Sequence, residues 1–307
     1  MNKMKNFLED LQKHWMLWAM AAPAVIALFV FNYLPMAGLV MAFQRLDLKK
    51  GIFTSPFVGF KNFEFLFSTT DAWVITRNTI LYNLIFIVLN LLCSVGLAVI
   101  MSELTCRFYS KVLQTVFIMP QFLSMVVVAT IVYAFLSPTN GFVNTFLIEH
   151  GFSRVNWYSE RGVWPFLLVL VYLWKNVGYS AVVYMAVISG ISSEFYEAAA
   201  LDGASKWQQV KYITIPHLRT IIVIKLIMAI GKIFRADFGL FYTVPRDSGT
   251  LYPVTNVLDT YIYRGMSQMN NIGMSTAAGL YQSVVGFILV LVANKIVTKI
   301  DPDSAMF

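Results

Sequence analysis

The chain has 307 residues, 58% of them hydrophobic and 13% charged, against roughly 25% charged in an ordinary soluble domain, so a water-soluble fold could not cover its apolar surface. The formal net charge is +7, yet the basic residues are scattered between apolar runs and form no stripe, which excludes a nucleic-acid surface and points to loops facing anionic lipid. Two cysteines, Cys93 within an apolar run and Cys106 beyond it, are too few for a disulfide framework or a metal site and read as packing residues.

Apolar runs of spanning length lie at 15–43, 79–101, 116–137, 164–189, 218–234 and 277–297. The stretch 80–101 alone would extend about 33 Å as a helix, the thickness of a bilayer core. Backbone polar groups at that depth must bond internally, so the fold class is an all-α integral membrane protein with six transmembrane helices. The first run follows Lys3, Lys5 and Lys13 and is too long for a signal-peptide core, so it reads as a retained anchor. The fifth is the weakest, because Lys225 and Lys232 interrupt it. Residues 1–14 then form a short N-terminal segment, 15–299 one six-span domain and 300–307 a tail. Six spans put both termini on one side. Lysine and arginine are denser in the shorter segments on that side, a lean towards termini inside. Aromatic residues near span ends, Trp15, Trp18, Trp157, Tyr158 and Trp164, read as interfacial belts. No internal repeat is visible, so half of a translocation path is missing and a partner chain is implied.

Between the fourth and fifth runs lies a polar segment, 190–217. Ser193 is expected to cap a short helix, the run Ala198-Ala199-Ala200 to favour it, and Gly203 to end it in the left-handed conformation. Ser205 followed by Gln208 fits a capping box for a second helix, and Pro216 suits the first turn of the fifth span. A short helix with a small-residue face and a projecting Glu197 suits docking into a groove on another protein. A solvated linker is the alternative for a loop of this composition.

Glu197-Ala198-Ala199, Asp202-Gly203-Ala204 and Ile213-Thr214-Ile215-Pro216 resemble the EAA loop of type I ATP-binding-cassette importer permeases. Ile215 stands where leucine is usual. Phe57-Val58-Gly59-Phe60-Lys61-Asn62-Phe63, Met119-Pro120 and Gly141-Phe142-Val143-Asn144 look like the sugar-permease branch. Trp174-Lys175-Asn176-Val177-Gly178-Tyr179 resembles its polysaccharide-type, LplB-like members. The resemblance implies that Glu197, Ala198, Ala199, Asp202 and Gly203 couple the chain to a cytoplasmic ATPase, and it fixes 190–217 and both termini inside a bacterial cell membrane. It further implies a second, similar permease, two ATPase subunits that hold ATP and Mg, and an external solute-binding protein that delivers an oligosaccharide. This chain itself is expected to need no cofactor and to be no enzyme.

Tyr172, Lys175, Asn176 and Tyr179 share one face of the fourth run. A sugar path needs hydroxyl partners and aromatic faces, and this stripe offers both; helix packing with Lys175 reaching for the interface is nearly as strong a reading. Lys225 and Lys232 lie one heptad apart in the fifth run, and no Asp or Glu falls within the six runs to pair with them. A water-filled path or an anionic, uronate-containing sugar would compensate them, as would a shorter span that leaves Lys232 at the surface. Asn83, Asn90 and Ser94 form a thinner stripe expected to join helices.

Gly231-Lys232 lacks the upstream glycine of a phosphate-binding loop, so the chain is not expected to bind ATP. His14, His150 and His217 have neither metal-ligand nor nucleophile-base spacing. A secondary transporter or channel without ATPases is the alternative, disfavoured because ion coupling usually shows intramembrane carboxylates. A membrane enzyme is disfavoured for want of a nucleophile or metal cluster.

Overall fold

The computed structural model describes residues 13–47, 49–64, 68–104 and 107–300. Most of the expected N-terminal segment and tail, and Cys106, lie outside the described residues. Among the described residues the chain is helical, apart from one isolated bridge between Gln44 and Phe57. Helices long and apolar enough to cross a membrane cover Trp15–Phe43, Thr70–Ser102, Trp164–Ile188, Lys206–Gly231 and Ile272–Lys299, and the bent pair Phe108–Phe122 and Met125–Leu136 supplies a sixth crossing. In order, the helices are α1 (Trp15–Leu28), α2 (Thr70–Ser102), α3 (Arg107–Ile118), α4 (Met125–Leu136), α5 (Phe142–Glu149) and α6 (Trp164–Ile188). Then follow α7 (Ser193–Leu201), α8 (Lys206–Gln209), α9 (Ile215–Gly231), α10 (Tyr252–Thr255), α11 (Leu258–Ser267) and α12 (Ile272–Ile300).

Three turns of π-helix, Phe29–Tyr33, Val210–Thr214 and Gly239–Thr243, each stop one residue short of a proline: Pro35, Pro216 and Pro245. Proline has no N–H for the carbonyl four residues back, and its ring crowds that oxygen. The carbonyls in question, of Phe31, Tyr212 and Phe241, lie inside the widened turns, which let the chain continue. Thus Pro216 does sit in the first turn of α9, and the helix runs on through the π-turn from Lys206. The fifth span therefore starts earlier than expected and ends at Gly231 rather than Phe234.

The second span also starts earlier, at Thr70, where Thr69 accepts from the Ala72 N–H at 3.3 Å. Its polar first turns are satisfied by tertiary bonds: Asn78 Nδ2 donates to the carbonyls of Pro253 and Asn256 at 3.1 and 3.0 Å. The third span is not one helix. Its two halves bend by 99° at a short break, where Pro120 opens a tight turn over Met119–Phe122, Leu123 is extended and Ser124 caps α4 by accepting from Val127 N–H at 3.3 Å.

The centre of the bundle is α2 against α6. Towards one end Tyr82 and Phe86 meet Leu168, Val171 and Phe241, and towards the other Ala98 meets Ala181, Tyr184, Ile188 and Leu218. In lipid, close van der Waals contact and interhelical hydrogen bonds replace the hydrophobic drive of water. Accordingly Asn83 Nδ2 donates to the Ile233 carbonyl at 3.0 Å and Asn90 Nδ2 to Ser180 Oγ at 3.2 Å, the joining role expected of that stripe. Cys93, by contrast, is exposed rather than packed. Trp15 and Trp18 are exposed as belt residues would be, but Tyr158 and Trp164 are buried and meet at 5.2 Å. The second aromatic group therefore belongs to the core, and Trp164 Nε1 bonds the Trp157 carbonyl at 2.7 Å.

Candidate functional site

The segment from Ser192 to Pro216 folds as helix, turn, helix, with every end closed by a near neighbour. The cap of α7 is Ser192 rather than Ser193: its Oγ accepts from Glu194 N–H at 3.3 Å, so the helix begins one residue earlier than expected. Gly203 has φ +79°, the Gly203 N–H bonds the Ala200 carbonyl at 3.1 Å and the Ala204 N–H bonds that of Ala199 at 2.9 Å. That pair is a Schellman closure, which needs a residue free to adopt the left-handed region. Ser205 and Gln208 form the expected capping box.

Short contacts fix this unit to the bundle. Tyr196 Oη lies 3.0 Å from Thr214 Oγ1, the Phe195 and His217 rings meet at 5.7 Å, and Lys206 Nζ pairs with Glu103 at 3.0 Å. What remains outward is Glu197, Ala198, Asp202 and Gly203, together with two large apolar side chains, Leu201 at 91% and Trp207 at 74% exposure. Ala199 is half-buried. An exposed leucine and tryptophan on a rigid, tethered helix-turn-helix form a surface suited to another protein. A cleft of about 610 Å³ beside it is lined by Glu103, Lys111, Gln114, Tyr196 and Lys206.

The polar stripe of α6 is split between different tasks. Tyr172 lies flat on Phe86, with ring centroids 3.9 Å apart and planes 6° from parallel, so one of its faces is taken by α2. Asn176 Nδ2 returns to the Tyr172 carbonyl at 2.8 Å. Tyr179 is exposed. Lys175 is 8% exposed, and its Nζ donates to the carbonyls of Pro120, Gln121 and Leu123 at 3.2, 3.0 and 2.5 Å. Lys175, without an acid to pair with among the described residues, is thus held inside the bundle by backbone carbonyls rather than reaching for the interface. The break in the third span exposes carbonyls at the negative end of a helix, and the ammonium is bound there.

Lys225 has an aromatic partner: its Nζ stands 4.7 Å over the Tyr184 ring of α6. Lys232 caps the C-terminus of α9 and is exposed, which matches the shorter-span alternative. Outside the spans, near Arg235, lies an acid that the apolar runs do not contain. Asp259 on α11 accepts from the Ala236 N–H at 2.7 Å and from Gln282 Nε2 at 3.0 Å. Burial holds its carboxyl above the ordinary carboxylate range, against these bonds and the nearby Arg235 charge. Asp247 and Arg264 form an ion pair at 2.8 Å, with Arg264 also donating to Asn256 Oδ1 at 2.7 Å.

Two residues of the other motifs do for helix ends what Lys175 does for the break. Asn62 Nδ2 reaches the carbonyls of Met41, Ala42 and Gln44 at the end of the first span, at 3.4, 3.0 and 2.9 Å. Asn144 Nδ2 reaches those of Ser137 and Val155 at 3.1 and 2.8 Å, and its Oδ1 accepts from Val155 N–H at 3.0 Å.

The family model described as "Binding-protein-dependent transport system inner membrane component" matches residues 94–302. The chain is 30% identical, over 98% of its length and 94% of the relative's, to the polygalacturonan/rhamnogalacturonan transport system permease protein YteP of Bacillus subtilis (strain 168). It is 28% identical to Protein LplB of the same organism, over 97% of this chain and 93% of that one. A chain in the crystal structure of a bacterial ABC transporter involved in the import of the acidic polysaccharide alginate superposes with a TM-score of 0.87 at 31% identity, covering 96% of this chain and 99% of its own. A chain of a bacterial alginate ABC transporter in complex with alginate pentasaccharide-bound periplasmic protein gives a TM-score of 0.84 at 32% identity, over 95% and 97%.

Proposed function

Because this chain belongs to the family of binding-protein-dependent transport system inner membrane components, we propose that it works as one permease of an ATP-driven importer for an acidic oligosaccharide. The single observation that carries the transport reading is the family match over 94–302. The closed helix-turn-helix inside that region supports the coupling role. Its rigid caps, its tethers Tyr196 and Lys206, and its exposed Glu197, Leu201 and Trp207 are what a part needs if force is to pass through it without being absorbed by its own bending.

In this reading Glu197, Ala198, Ala199, Asp202 and Gly203 seat on one of two cytoplasmic ATPase subunits, which hold ATP and Mg. A second, similar permease completes the path, an external binding protein delivers the sugar, and both termini are cytoplasmic. Closure of the ATPases moves α7, and rigid-body motion of the spans turns the path from one side to the other.

The acidic character of the substrate is supported by the relatives, since galacturonan and alginate are carboxylated, and by the exposed Lys232 at the end of α9. Lys175, taken up by backbone carbonyls, adds no support. Tyr179, Asn176 and Tyr172 remain the hydroxyl and amide groups offered to a path beside α6.

The test is uptake into proteoliposomes holding the whole complex, with acidic and neutral oligosaccharides of equal length. ATP-dependent uptake of the acidic chain, lost in Glu197→Lys while the permease still inserts, is the expected result. Uptake without ATP would return the chain to the class of secondary transporters, and selective uptake of the neutral sugar would refute the acidic substrate alone.

A further inference from the structure

The mid-span break and the inner loop hang from the same helix. Lys175 lies along α6 about 17 Å from Trp164 and about 20 Å from Ile188, at 1.5 Å per residue, which sets the break near the middle of the hydrocarbon. Irregular backbone survives at that depth only where protein groups satisfy it. The rod Phe108–Phe122 ends there with its free carbonyls pointing beyond the helix, and Lys175 supplies donors to three carbonyls of the break, those of Pro120, Gln121 and Leu123.

One turn further along α6, Gly178 closes the grip from the other side. A Cβ on Gly178 would stand 1.9 Å from the Phe117 carbonyl oxygen and 2.3 Å from its carbon, so α3 rests directly on the α6 backbone. Lys175 and Gly178 are i and i+3 on one face, one binding the end of the rod and the other admitting its flank. Below them the same helix ends at Ile188 and leads within a few residues into Ser192 and α7.

We propose that Lys175 is a positioning residue: it holds the third span in its broken shape and makes the break follow α6, so that movement of the inner loop reaches the middle of the path. Its charge serves the helix end and does not select the substrate. The proposal rests on the transport reading only for its uptake arm. Its geometric arm stands by itself.

The experiment uses the complete complex with Cys93 and Cys106 replaced by serine and spin labels at Tyr109 on α3 and Thr130 on α4, whose separation reports the bend. Lys175→Met is expected to lengthen or broaden that distance and to lower uptake of acidic and neutral oligosaccharides by the same factor, about tenfold or more for buried carbonyls left without donors. Lys175→Arg, which keeps a cationic donor, restores both readouts in large part. Gly178→Ala shifts the same distance with Lys175 in place, which keeps the proposal testable should Lys175→Met fail to assemble.

An unchanged distance in Lys175→Met overturns the proposal, whatever happens to uptake. A changed distance with full uptake overturns its functional half. A loss confined to the acidic sugar overturns it in favour of direct recognition of the substrate by the lysine. If the wild-type complex carries neither sugar, the transport reading fails while the distances still decide the clamp.

Discussion

The loop between the fourth and fifth spans and the mid-span break are both places where a helix stops and restarts around a glycine or proline, but they close their free backbone groups in opposite ways. In the loop each cap lies within about five residues of what it caps: Ser192 on Glu194, Gln208 on Ser205, Ala204 on Ala199. At the break the cap comes from Lys175, 52 to 55 residues away in sequence. The loop stands in water, which forgives a missing cap. Lipid does not, so the break needs a donor of full charge, brought by a neighbouring helix.

The comparison predicts unequal damage. Gly178→Val should be the most harmful change, because two methyls are driven against the Phe117 backbone; a loss of ~3 kcal/mol or more is expected for overpacking that side chains cannot relieve. A fall in yield and in detergent melting temperature would report it. Asn144→Leu removes another remote cap, freeing the Ser137 and Val155 carbonyls near the end of the third span, and should cost about 1–3 kcal/mol by the same measurement.

Changes in the loop should be smaller. Gly203→Val forces a β-branched residue to φ +79° at a cost of about 1–2 kcal/mol, visible as lost uptake at nearly wild-type melting temperature. Ser205→Ala loses one side of a solvent-facing capping box and should cost about 1 kcal/mol or less, because water replaces the hydroxyl. If Ser205→Ala proved as damaging as Asn144→Leu, the distinction between exposed local caps and caps buried within the protein would not hold.

The same distinction decides what the sequence could tell. Apolar runs announce helices that lie in lipid, and near-neighbour caps are written within a few residues, so α7, its Schellman glycine and the capping box could be read almost residue by residue. The slip from Ser193 to Ser192 is the ordinary uncertainty of adjacent serines. Remote partners leave no such trace. The first turns of α2 looked too polar to continue a span because Asn78 finds its carbonyls at Pro253 and Asn256, far along the chain. Pro120 was visible, but the 99° bend lies against Lys175 and Gly178, of which the first read as part of a sugar-facing stripe and the second only as one position of the Trp174–Tyr179 motif. Likewise Asp247 could not be matched to Arg264, nor Asp259 to Ala236 and Gln282, by hydropathy, since both acids lie between spans.

The first span differs from all of these in how little of its own chain it touches. No residue of α1 is buried; contact begins further along, where Ala42 is buried and Asn62 binds the last carbonyls, with α12 alongside. During synthesis, then, this helix enters the bilayer well before the segment that docks it, and α12 follows only after the other spans. It must wait there alone. A helix that waits in lipid does best with no amide or ammonium in need of a partner, and the run from Trp15 to Leu28 contains none, whereas Lys175 enters when the carbonyls of Pro120, Gln121 and Leu123 that hold it have already been made.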